Sequence, residues 1–140
     1  MLPALLAAVA LVVVATAAGL LWKRLDGRRR DGSGRLVRPA DLGLPADAFG
    51  ERATVLQFSS EWCTRCPAAR RVLGDAARRT AGVRHAEVDL THRPDLASRF
   101  GVLQTPTTLV LDARGAERAR IGGAPRPAEV DAALSELVDA

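Results

Sequence analysis

Two cysteines separated by two residues are the side chains of this sequence best suited to chemistry. Cys63 and Cys66 are the only cysteines among its 140 residues. When such a pair starts a helix, both sulfurs lie in the first turn, where free backbone N–H groups and the helix dipole stabilise a thiolate. That thiolate attacks a disulfide, and the second thiol resolves the mixed disulfide. We therefore predict that Cys63 is the exposed attacking group and that Cys66 is the shielded resolving group.

Two other uses of the cysteine pair are open. A static disulfide is one, although such bonds are rare in cytoplasmic proteins. Zinc binding is the other, but tetrahedral zinc takes four ligands, and only His85 and His92 could complete the set. For either histidine a surface or strand position is the simpler interpretation. We predict no metal site and no cofactor other than the redox-active disulfide Cys63–Cys66.

The segments around the pair alternate between strand and helix patterns. Short β-branched and apolar runs predict strands, and apolar positions at helical spacing predict helices. The predicted strands are residues 54–58, 83–90, 107–111 and 117–121, the predicted helices are 64–80, 95–100 and 127–138, and 41–50 is a short irregular segment. This order predicts an α/β fold, a mixed sheet flanked by helices on both faces.

The first residues have the composition of a membrane anchor. Leu2–Trp22 is a run of 21 residues without a charged side chain, close to the roughly 20 that cross a bilayer as a helix. A cleaved signal peptide would begin with basic residues, and none precedes this run, although Ala15-Thr16-Ala17 could pass for a cleavage site. We therefore predict an uncleaved transmembrane helix over residues 1–22, through which the chain contacts the lipid bilayer.

The basic residues beside this run predict its orientation and the domain boundaries. Seven Lys/Arg and two Asp/Glu give residues 1–38 a net charge of +5, whereas the remainder is nearly neutral. The positive-inside rule then places the rest of the chain on the cytoplasmic side of the cell membrane. Turn-forming Asp and Gly residues predict a basic flexible linker over 23–38, followed by a folded domain over 39–140. Because the excess charge flanks the membrane, we predict no nucleic-acid partner.

Several segments resemble the thioredoxin family, in a match that covers about residues 41–140. Phe58-Ser59-Ser60-Glu61-Trp62-Cys63-Thr64-Arg65-Cys66 resembles its strand and active-site helix, and Phe100–Thr107 resembles the segment with its cis-proline. Val88-Asp89, Gly115 and Gly122 also fall at matching places. The resemblance implies a thioredoxin-like fold and a thiol–disulfide oxidoreductase. Its partners would be disulfide-containing proteins or small thiols and an unidentified electron donor. Separately, nineteen Arg against one Lys and a high Ala content favour a GC-rich bacterial genome.

The resemblance also implies supporting residues around the cysteines. Pro106 is the expected cis residue, in a turn that presents the Thr105 backbone to an extended substrate. Trp62 is expected to shield the disulfide and contact substrate, or else to cover the core. Thr64 and Arg65 stand where cytoplasmic reductases of the family carry Gly-Pro.

Two further positions are candidates for tuning the redox potential. Gln57 stands where many thioredoxins bury an acid, and it cannot titrate; His85 stands where the family usually has Lys, and it can titrate near neutrality. The charge of Arg65 would favour a thiolate nearby. We predict that Cys63 is more acidic, and the pair more oxidising, than in a general-purpose reductase. The reduction potential of the pair should therefore lie above the thioredoxin value of about −270 mV.

Three functions fit these observations. The first is a dithiol–disulfide exchanger at the inner face of the membrane. The second is an extracytoplasmic thiol-redox protein of envelope or cytochrome maturation, which requires the charge-based orientation to be wrong. The third is a binding module whose dithiol holds copper or zinc.

Overall fold

The computed structural model describes all 140 residues and contains one five-stranded sheet. Its elements, in chain order, are α1 (Leu2–Leu25), β1 (Arg29–Asp31), a 3-10 helix (Pro39–Leu42), β2 (Ala53–Ser59), α2 (Cys66–Arg79), β3 (Val83–Asp89), α3 (Pro94–Arg99), β4 (Thr107–Asp112), β5 (Glu117–Gly122) and α4 (Pro127–Val138). The strand order is β1-β5-β4-β2-β3, with β2 and β3 parallel and every other pair antiparallel. The predicted mixed sheet flanked by helices is confirmed.

The sheet separates two apolar cores because successive strand residues point to opposite faces. Val55 in β2 packs with Leu73 of α2 and Leu134 of α4 on one face. On the other face, the neighbouring Leu56 and Phe58 pack with residues of α3 and of the loop after it. Every residue of β2 is buried, so the strand that leads to the cysteines is fixed on both sides.

The segment after α1 differs from the predicted flexible linker over residues 23–38. Arg29–Asp31 pairs antiparallel with β5, and Leu36 forms an isolated bridge with Ala116. The side chain of Val37 is only 2% exposed and belongs to the apolar core. The reason is that β5 would otherwise be an open edge, whose unpaired N–H and C=O groups favour pairing with another strand. The folded unit therefore begins before Pro39.

Helix α1 extends the apolar run at the amino terminus into 24 helical residues. None of them is buried against the rest of the chain. By length and composition this helix could cross a membrane, although a signal sequence near an amino terminus passes the same test.

Candidate active site

The cysteine pair lies at the carboxyl end of β2, where the chain turns into α2. Cys63 and Cys66 form a disulfide, with 5.4 Å between their Cα atoms. The helix begins at Cys66 rather than at the predicted Thr64, so Cys63 lies in the preceding turn. Cys63 is half-buried, whereas Cys66 is 2% exposed. This is the order of exposure that an attacking and a resolving thiol require.

The turn between the cysteines offers hydrogen-bond donors to a thiolate. The backbone N–H groups of Thr64 and Arg65 have no acceptor within the protein. Pro67, in the first turn of α2, lacks an N–H, which costs nothing there because that group would have no helical partner. Free donors at the positive end of a 14-residue helix stabilise a negative charge on Cys63 once the pair is reduced.

The loop before β4 forms the second side of the site. The Thr105–Pro106 peptide bond is cis, Pro106 is buried and Thr105 is half-buried. The hydroxyl oxygens of Ser60 and Thr105 are 3.2 Å apart. This hydrogen bond joins the segment before the cysteines to the cis-proline loop, so the structure brings together these two predicted parts of the site.

Two apolar side chains near the pair are unusually exposed. Trp62 is 82% exposed, which rules out the interpretation that it covers the core. Leu103, in the loop before the cis-proline, is 97% exposed. Thr64 is also exposed. Exposed apolar side chains beside a reactive centre suit contact with a protein substrate.

The two redox-tuning candidates contact each other behind Cys66. Buried Gln57 donates its amide N–H to the carbonyl oxygen of Cys66 at 3.1 Å, and its Oε1 lies 3.0 Å from Nε2 of His85. Burial lowers the pKa of His85; Glu87 acts against this shift and Arg70 adds to it. A chain of hydrogen bonds therefore connects a titratable ring to the resolving cysteine. The redox role of these residues stays a prediction.

Arg65 has a partner that the sequence did not reveal. Its guanidinium forms an ion pair with the carboxylate of Asp26 at 2.6 Å. Asp26 directly follows α1, in the tract interpreted as a linker, and lies 39 positions from Arg65 along the chain. The tract contains two acidic residues, Asp26 and Asp31, and nothing in the local sequence distinguishes one from the other. Sequence reasoning therefore missed Asp26 as part of the site.

Disulfide exchange is the chemistry available to a pair with one accessible and one shielded sulfur, and the chain is a thiol–disulfide oxidoreductase. The family model described as Thioredoxin matches residues 47–136. The chain belongs to the thioredoxin family.

Similar sequences agree with this assignment, and similar solved structures agree with the fold. Thioredoxin C-2 of Corynebacterium nephridii is 29% identical over 96 residues, which cover 67% of this chain and 89% of that protein. Thioredoxin of Pongo abelii is 28% identical over 92 residues, covering 66% and 86%. Among solved structures, a mutant thioredoxin from Halobacterium salinarum superposes with a TM-score of 0.56 at 19% identity, covering 63% of this chain and 76% of its own. Thioredoxin NaTrxh of Nicotiana alata gives 0.54 at 24% identity, covering 63% and 75%.

Proposed function

We propose that this protein is a membrane-anchored thioredoxin that reduces or exchanges protein disulfides at the membrane surface. The observation that carries the proposal is the presence, in one chain, of the Cys63–Cys66 pair and an apolar helix with no buried residue. A 24-residue helix is about 36 Å long, enough to cross a hydrocarbon core of about 30 Å.

The proposed location is the cytoplasmic face of the membrane. Lys23 and Arg24 lie in the last turn of α1, and five arginines follow the helix before residue 39. Such an arrangement favours retention of the basic end in the cytoplasm. An extracytoplasmic redox protein is the alternative that reverses this orientation, and a copper- or zinc-binding dithiol is the alternative that replaces the redox chemistry.

Thiol labelling in cells tests the location. A membrane-impermeant maleimide is added to intact cells and to lysed cells, with and without prior reduction, and labelling of the two cysteines is measured. Labelling only after lysis supports a reduced pair on the cytoplasmic side. Labelling of intact cells, with or without added reductant, would overturn the proposed orientation. A Cys63→Ser/Cys66→Ser double variant, which contains no other cysteine, gives the background.

Insulin reduction by the purified protein, with dithiothreitol as electron donor, tests the chemistry. We expect Cys63→Ser to abolish the reaction, because the attacking thiolate is lost. Cys66→Ser should instead accumulate a mixed disulfide between Cys63 and the substrate. Metal that stays bound to the reduced protein, together with no insulin reduction, would favour the metal-binding alternative.

A further inference from the structure

The carboxyl end of α1 is attached to the active site. Asp26 immediately follows the helix, and its carboxylate bonds Arg65, which lies between the two cysteines. The same carboxylate packs against Gly123: a Cβ added to Gly123 would lie 1.7 Å from Oδ1 of Asp26. The N–H of Gly123 in turn donates to the carbonyl of Pro106 at 2.8 Å. One acidic side chain thus contacts the cysteine turn and the glycine bonded to the cis-proline.

No flexible segment separates this helix from the domain. The Arg126 guanidinium donates to the carbonyl oxygens of Lys23, Arg24 and Asp26 at 3.1, 3.2 and 3.0 Å. These bonds satisfy carbonyl groups that a helix end leaves without partners. The N–H of Gly27 then donates to the carbonyl of Gly122 at 2.9 Å. These bonds hold the last turn of α1 beside the active site.

A cavity of about 300 Å³ lies between the end of α1 and the cis-proline loop. Trp22 and Leu25 line one side of it, and Leu103, Gln104 and Gly122 line the other. Trp22 is 72% exposed, at the end of the apolar run, where tryptophan favours the headgroup level of a bilayer. With α1 across a bilayer as proposed, the cavity would open at the membrane surface.

The charge around this cavity suits the same location. Arg28 and Arg30 also line it, and neither forms an ion pair. Arginines near a bilayer are attracted to anionic lipid phosphates. That attraction would hold the cavity against the headgroups, and with it the cysteine turn, which the Asp26–Arg65 ion pair joins to the cavity wall.

We infer that the substrate is a membrane-embedded protein whose disulfide lies in the interfacial layer and is bound between α1 and the cis-proline loop. The inference rests on the proposed membrane function and names the class of partner. A disulfide at headgroup level reaches this cavity by lateral diffusion. A disulfide held far from the bilayer does not reach it, because the short junction prevents the domain from turning outward.

The exchange passes two electrons from this protein to the substrate protein in two steps. The Cys63 thiolate attacks one sulfur of the partner's disulfide, the partner's S–S bond breaks, and the released thiolate takes up a proton. Cys66 then loses its proton and attacks the Cys63 sulfur, which forms the Cys63–Cys66 disulfide and releases the second thiolate. Two electrons pass to the partner, and a dithiol donor restores the pair for the next turnover.

Two synthetic transmembrane peptides test the inference with the full-length, pre-reduced protein in lipid vesicles. Both carry the same disulfide loop, directly after the apolar segment in one and beyond a 20-residue helical spacer in the other, about 30 Å farther out. Single-turnover reduction of each is measured at equal peptide density. We expect the near disulfide to be reduced about tenfold faster, because only it reaches a high effective concentration at the site.

A variant with thirty Gly/Ser residues inserted between Leu25 and Asp26 should lose this preference, because such a linker spans about 30 Å on average and its domain can reach either disulfide. Equal rates on the unaltered protein, or faster reduction of the far disulfide, would overturn the inference while insulin reduction continued. Loss of insulin reduction by the unaltered protein would refute the proposed function instead. The comparison of the two peptides on the unaltered protein stands even if the insertion variant does not fold.

Discussion

Arg65 lies between the two cysteines, and its guanidinium contacts the carboxylate of Asp26 at 2.6 Å. The Arg65 side chain is 48% exposed and that of Asp26 is 17% exposed. Because the two charges oppose each other, a thiolate at Cys63 experiences less positive potential than Arg65 alone would supply. The predicted oxidising character of the pair therefore depends on Asp26 as well as on Arg65.

Two substitutions of this ion pair should shift the acidity of Cys63 in opposite directions. Asp26→Asn leaves Arg65 uncompensated and should lower the pKa of the reduced Cys63 thiol, because a nearby positive charge favours the thiolate. Arg65→Ala leaves the negative Asp26 and should raise that pKa. The pH dependence of alkylation by iodoacetamide measures both shifts. Shifts of the same sign in both variants would contradict the prediction.

His85 should make the stability of the fold depend on pH. Burial holds its folded-state pKa below the ordinary value of 6.5. When the pH falls through 6.5, the unfolded chain therefore takes up the proton first and the folded state loses stability; above 6.5 the contribution of neutral His85 is fully present. We expect the free energy of unfolding in urea to fall between about pH 7.5 and 5.5, and His85→Gln to reduce this fall.

The matched control is His92→Gln, which removes the other, exposed histidine of the chain. We expect it to keep the pH dependence of the unaltered protein. Glu87 does not confuse the comparison, since the Arg70 and Ser59 hydrogen bonds hold its pKa below 4.5, outside this range of pH. An equal pH dependence in the His85→Gln variant would show that the ring does not contribute.

At the scale of elements, the junction between α1 and the sheet depends on close backbone approach. Gly27 has a positive φ of 72°, and an added Cβ would lie 2.1 Å from the carbonyl oxygen of Ala124. Gly34 has nearly the same φ, 70°, but nothing within 4 Å of such a Cβ. The two glycines share a backbone conformation and differ in their surroundings.

Replacing each of these glycines by alanine separates the two effects. Gly34→Ala should cost about 1 kcal/mol, the strain of a left-handed conformation in a residue with a side chain. Gly27→Ala should cost about 2–3 kcal/mol or more, because the clash also breaks its N–H bond to Gly122. Urea unfolding of the full chain in detergent, monitored by tryptophan fluorescence, measures both losses of stability. Equal losses would show that the junction adds no stability.

The sequence predicted those elements whose signal is local. The apolar face of α2, with Leu73 and Ala76, and the uniformly buried β2 are visible in short windows of residues. Strand β1 is different: Arg29–Asp31 has no apolar alternation, and it forms only because β5, ninety positions later, offers a free edge. Asp26 joins the site through an equally non-local contact. The cysteines and the cis-proline loop were predictable through their resemblance to a family.

At the scale of the whole molecule, residues 29–37 belong to the folded domain. Glu117 of β5 is 1% exposed, and its carboxylate accepts hydrogen bonds from Arg120 at 2.8 Å and from Ser33 at 2.7 Å. Burial raises the pKa of Glu117, but these hydrogen bonds outweigh it and hold the pKa below its usual value. Burial of a charged carboxylate is costly unless it is hydrogen-bonded, so the stability of the fold depends on each of these partners.

Two fragments without α1 should therefore differ in stability. The fragment 39–140, which begins at the predicted domain boundary, lacks the buried Val37 side chain and the Ser33 hydrogen bond. Burial of one valine contributes about 1.5 kcal/mol or more, and an unsatisfied buried partner costs about 1–3 kcal/mol. We expect fragment 39–140 to be about 3 kcal/mol less stable than fragment 26–140, out of the roughly 5–15 kcal/mol typical of a domain.

The comparison is matched because both fragments lack the helix and keep the cysteine pair. Urea unfolding of the oxidised forms measures the difference in their free energy of unfolding. Ser33→Ala in fragment 26–140 isolates the contribution of the hydrogen bond to Glu117. If the two fragments unfolded at the same urea concentration, residues 29–37 would contribute nothing to stability. Their pairing with β5 would then be compatible with a segment that detaches from the domain, and the fixed junction between membrane helix and active site would have to be abandoned as well.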